Sequence, residues 1–90
     1  MPSDSLARRA LAFEIALRED PIKNKNIHIN TCALLTSCDV NTLDRILRIY
    51  VEEIDLHRRY ARVGQLAGLD LQAPPTPEAI ELASSMYKTG

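Results

Sequence analysis

Apolar residues recur at helical spacing in three stretches of the chain, and each stretch ends at recognisable punctuation. In "SDSLARRALAFEIALREDP", Leu6, Ala10, Phe13 and Leu17 share one face, and Leu11 and Ile15 broaden it. That is the pattern of an amphipathic helix over 4–19. Ser3 or Asp4 is placed to cap its free N–H groups, and Pro21 cannot continue it. "IKNKN" then reads as a polar loop, and "IHI" alternates like a strand with nothing evident to pair with. "NTCALLTS" predicts a short helix over 31–37, capped by Asn30 or Thr31.

The strongest periodic signal follows Asp39, itself a good N-cap. Val40, Leu43, Leu47, Tyr50, Ile54, His57, Ala61 and Gly64 keep a 3-4-3-4 spacing, the seam of a bundle or coiled coil, which predicts one long helix over 40–67. Ile49, Leu56 and Val63 form a second, narrower row, so this helix needs cover on two sides. Gly68 is its natural left-handed stop. "LDLQAPPTP" reads as an extended connector. Thr76 then caps a last helix over 77–88, with Pro77 at its first position and Glu78 facing the positive helix end. Ile80, Ala83, Met86 and Tyr87 are its apolar side. The expected fold is all-α: a single helical domain over 1–90, a small bundle of three main helices plus one short helix around a long central one.

Composition supports this picture and narrows the function. With 46% hydrophobic and 26% charged residues the chain is globular in type. It holds one Phe, three Tyr and no Trp, so its core must be aliphatic, which suits helix-on-helix packing. The net charge of −1 lacks the basic excess typical of proteins that bind nucleic acid through phosphates. No apolar run approaches the roughly 20 residues that cross a bilayer. Membrane-surface association through Arg8 and Arg9 is opposed by Glu14, Glu19 and Asp20. The expectation is a cytoplasmic protein with no membrane role, whose Cys32 and Cys38 are plain thiols.

Chemistry-bearing constellations are sparse. His28, Cys32, Cys38 and His57 offer zinc-ligating atoms, but their gaps match no structural zinc pattern. Glu53 and His57 are one residue too far apart for a di-iron Glu-x-x-His motif, and no second copy exists. Asp44–Arg48–Glu52 and Asp55–Arg59 read as i,i+4 ladders on a solvated face. Ser37, Cys32 and Cys38 lack a glycine elbow, and no phosphate-cradling glycine loop is present. The sequence therefore predicts a protein that is not an enzyme and needs no cofactor.

"NTCALLTSCDVNTLDRILRIY" also has the outline of a helix-turn-helix, with Ala33 at the small position, Ser37 at the turn, and Leu43 and Ile46 inside. Asn41, Thr42, Arg45 and Arg48 would face DNA, against Asp44, Glu52 and Glu53, which repel it. Within it, "LLTSCDVNTLDRILRIY" resembles the helical centre of phage terminase small subunits in Leu34, Leu35, Thr36, Asp39, Leu43 and Tyr50. That resemblance implies an oligomeric DNA-packaging component that recognises viral DNA and partners the large motor subunit. It covers residues 34–50; the first helix, "KNKNIHI" and the C-terminal tail depart from the family, and no DNA-binding residue carries over.

The leading expectation is a non-enzymatic helical module that docks on another protein and self-associates. Its contact would be Ile49, Leu56 and Val63, rimmed by Arg58, Arg59 and Arg62. The alternative is the small DNA-binding or packaging component just described.

Overall fold

The computed structural model describes residues 8–12, 15 and 23–89, with side chains through 85. Every regular element among them is helical, and no helix is long and apolar enough to cross a membrane. Residues 8–12 and 15 are helical, in keeping with the first expected helix, whose remaining residues lie outside the described ones. Four helices follow: α1 (Lys25–Ser37), α2 (Val40–Glu52), α3 (Leu56–Ala67) and α4 (Pro77–Thr89).

The first correction concerns α1. It starts at Lys25, so the "IHI" segment is helical, and Asn30 and Thr31 sit inside the helix rather than at its cap. Ile27, His28, Thr31, Cys32 and Leu35 recur at helical spacing and are all buried. Two of these five are polar, which hides the stripe from a hydrophobic count. Tertiary packing overrides the weak β-preference of Ile27 and Ile29.

The second correction is larger. The helix expected over 40–67 is two helices, separated by Glu53, Ile54 and Asp55. Glu53 is extended (φ −94°, ψ 127°), and its N–H still donates to the Ile49 carbonyl. Asp55 opens α3 by accepting from the His57 N–H at 2.9 Å. The break leaves the Glu53 carbonyl without a helical donor, and the Arg59 side chain donates to it. Arg62 pairs with the Glu53 carboxylate at 2.6 Å. What the break gains is burial. Tyr60 and Val63 lie off the expected seam, yet the elbow folds them into the same core as Ile46, Ile49 and Tyr50. Burying two large side chains stabilises by about 1.5–3 kcal/mol each, which offsets the helical hydrogen bonds interrupted between Glu53 and Arg59, worth about 1 kcal/mol each and partly replaced by the Asp55 and Arg59 side chains.

The remaining punctuation is local chemistry. Asp39 caps α2 by accepting from the Thr42 N–H at 2.7 Å. Gly68, at φ 68°, ends α3 in a Schellman arrangement, with its N–H on the Gln65 carbonyl and the Leu69 N–H on that of Gly64. Thr76 caps α4 through the Ala79 N–H at 3.1 Å. The linker between α3 and α4 turns at residues 71–73 and is anchored by the buried Leu71. The Asn30 side chain in α1 donates to the carbonyls of Leu71 and Ala73, at 2.8 and 2.9 Å. Among the described residues α1 and α4 share the most extensive helix–helix contact, and Ala83 is a buried residue that α4 brings to the core. Arg8 pairs with Asp44, fastening the N-terminal segment to α2.

Candidate interaction surface

Helix α2 is polarised across its width. Leu43, Ile46, Ile49 and Tyr50 fill the core, with Ile46 fully buried. The opposite side carries Val40, Asp44, Leu47, Arg48, Val51 and Glu52; Leu47 is half-buried and the others are exposed. Val51 is 84% exposed, and Ile54, in the elbow just beyond, is 94% exposed. Full exposure of a β-branched aliphatic pair at a helix end brings no stability to the isolated chain. Leu47 and Val51 lie together on the outer face of α2, and Ile54 adds exposed apolar surface in the elbow just beyond its end.

Charges frame this surface. Asp44, Arg48 and Glu52 form one i,i+4 row, and Leu47 and Val51 form the next. Between the rows lies an open hollow of about 380 Å³. The expected ladder does not form along this row. Asp44 is taken by Arg8, and Glu52 meets Arg62 only at 3.6 Å, a distance at which little is gained in water. Arg45 and Arg48 have neither hydrogen-bond nor ion-pair partners among the described residues.

The site residues expected from sequence fall in three groups. Ile49 and Val63 belong to the core, and Val63 is fully buried. Leu56 is half-buried and packs against that core. The row Ile49–Leu56–Val63 is therefore an inner face, because the elbow turns α3 back over α2. Arg59 is half-buried at the elbow, its guanidinium 5.8 Å from the centre of the Tyr50 ring. Arg62 is engaged by Glu53 and Glu52, which hold its guanidinium charged beyond its usual range. Arg58 alone of the three arginines is exposed with no partner among the described residues. On α2, Asn41, Arg45 and Arg48 are exposed, while Thr42 is half-buried with its N–H held by Asp39. The apolar surface the structure presents, Val51 and Ile54, carried a sequence signal only in retrospect: Glu53 and Asp55 bracket Ile54, and Asp55 is a helix-capping residue.

A polar cluster lies inside. His28 stands edge-on to Tyr60, ring centres 6.2 Å apart. Thr31 and Tyr50 are buried beside them, and burial foremost pushes the Tyr50 phenol well above its ordinary range. Burial likewise raises the Cys32 thiol to about 11, so it is protonated at neutral pH. Cys38, half-buried, is also raised, mainly by burial. Neither thiol is primed as a nucleophile. Among the described residues no group of three or more His, Cys, Asp or Glu side chains converges on a metal-sized space. No protein-family model matches the chain, and neither a curated protein nor a solved structure matches it.

Proposed function

We propose that this chain is a non-enzymatic docking module that acts by burying the outer face of α2 and the elbow against another polypeptide. The observation that carries the reading is the exposure of Val51 beside Leu47 and of Ile54 in the elbow. An apolar centre with Arg48 and Glu52 at its margin is ordinary interface anatomy. The test is a photoreactive side chain at Val51, illuminated in the cell that makes the protein, with a control at the exposed Ser84 of α4. Protein adducts at position 51 and none at 84 support the docking face; none at 51 overturns it.

A second reading has its own observation. α1 and α2 are joined by only Cys38 and Asp39, and the second helix exposes Asn41, Arg45 and Arg48, the two arginines making no hydrogen bond or ion pair among the described residues. A DNA-contacting role, of the kind the terminase small subunit resemblance implies, would use these side chains. Asp39, Asp44 and Glu52 on the same outer surface oppose a phosphate backbone, which ranks this reading second. Its test is duplex binding between about 50 and 200 mM salt, with Arg45→Ala and Arg48→Ala together. A steep salt dependence lost in the double variant would favour DNA over docking.

A further inference from the structure

Building on the docking reading, we infer that the occupant of this face is a second copy of the chain, its α2 antiparallel across a two-fold axis. In that arrangement each Arg48 faces the partner's Glu52. The argument is self-complementarity. A two-fold interface must present each group together with its own complement on one surface. The outer row of α2 does this, with a cation at Arg48 and an anion at Glu52 one turn apart.

Set beside Tyr50 and Val51, the axis serves the centre of the face and brings Val51 within about one residue's rise of its own copy. The same axis brings Arg48 to the level of the partner's Glu52, so two ion pairs form around a closed apolar centre. The side chains are available for these roles. Arg48 has no partner among the described residues, and Glu52 has only the 3.6 Å contact to Arg62, whose closer partner is Glu53. The hollow between the Asp44–Arg48–Glu52 row and the Leu47–Val51 row is open to a ridge from a second helix. An unrelated partner would have to supply the opposite charge order by itself; a copy supplies it by symmetry.

The test is light scattering coupled to size exclusion, over a dilution series of the intact chain, of R48E and E52R, of their equimolar mixture, and of the R48E/E52R double variant. Wild type is expected to be a dimer that dissociates on dilution. Each single variant sets two like-charge contacts in the interface, so its dissociation constant rises at least about tenfold. The mixture and the double variant both restore dimers, because each pairs every Glu with an Arg. Circular dichroism confirms that all four proteins remain helical, and V51E, which carries no charge swap, is expected to be monomeric.

A wild type that stays monomeric across the series overturns self-pairing. Adducts from position 51 to a different protein would then leave the docking reading standing, and their absence would remove both. A dimer unaffected by R48E, or one that the mixture fails to restore, lies on another surface and overturns the inference. So does a shift in size that appears only with duplex DNA.

Discussion

Ile46 and Ile54 are the same residue in opposite surroundings, eight positions apart on what the periodicity draws as one helix. Ile46 is fully buried, with Leu43, Ile49 and Tyr50 of its own helix in the same core; Ile54 is 94% exposed in the elbow. Truncating Ile46 to Val removes one buried methyl group and should cost about 0.5–1.5 kcal/mol; truncating it to Ala should cost about 2–5 kcal/mol, the upper part applying if the site cannot collapse. For a domain of this size about 1 kcal/mol corresponds to roughly 4–8 °C in Tm, so Ile46→Val is a measurable loss and Ile46→Ala a severe one. Ile54→Ala removes nothing from the core and should stay within about 0.5 kcal/mol. The assay is urea denaturation followed by circular dichroism, with the midpoint compared at constant slope. Protein is kept dilute, because assembly adds concentration-dependent stability that Ile54 would share. An Ile54→Ala cost equal to that of Ile46→Val in dilute solution would refute the elbow. It would mean that Ile54 is packed, as an unbroken helix over 40–67 requires.

Three further outcomes follow from the same geometry. Native protein treated with a thiol reagent near pH 8 should be modified at Cys38 well before Cys32, whose burial raises its thiol to about 11; equal rates by peptide mapping would contradict the core assignment of Cys32. The Asp39 carboxyl is held below its ordinary 3.8, chiefly by hydrogen bonds from Thr42. Its contribution is therefore complete above about pH 4 and lost as pH falls through the lowered value. Wild type should lose more Tm than Asp39→Asn between about pH 5 and pH 3, and equal losses would remove the cap from the account. Gly64→Ala should destabilise although alanine is the better helix former, because the new Cβ would sit 2.8 Å from the Leu69 carbonyl oxygen. Gly68→Ala, in open space but at φ 68°, should cost about 1 kcal/mol from backbone strain alone; thermal melts of both separate crowding from strain.

The parts of the fold readable in the chain are those set by local chemistry. Thr76-Pro77-Glu78 starts α4, Asp39 starts α2 and Gly68 stops α3, because caps and left-handed turns depend on a few adjacent residues. The beginning of α1 was hidden for the opposite reason. Its inner face includes His28 and Thr31, polar groups that only the assembled interior accommodates. Asn30, which resembles a cap, spends its side chain on the linker. The elbow was hidden too, since the 3-4 rhythm runs unbroken through Ile54 and His57. What ends α2 is tertiary: Arg59 and Arg62 stabilise the break from the next helix, and Tyr60 and Val63 gain burial from it. The candidate surface inherited this error. Ile49 and Val63 turned inward, while Ile54, read as part of the seam, and Val51, given no role, face out.

The two carbonyls gripped by Asn30 also bear on how the molecule comes into being. Both lie some forty residues downstream of it, and α1 finds its principal neighbour in α4, at the far end of the chain. A nascent chain emerging from the ribosome therefore presents α1 with one flank bare until the stretch around Ala83 has been synthesised. Folding of α1 into its native surroundings waits on α4. A message cut short before that point would yield a product whose sticky flank marks it for chaperones and proteases rather than a smaller working unit.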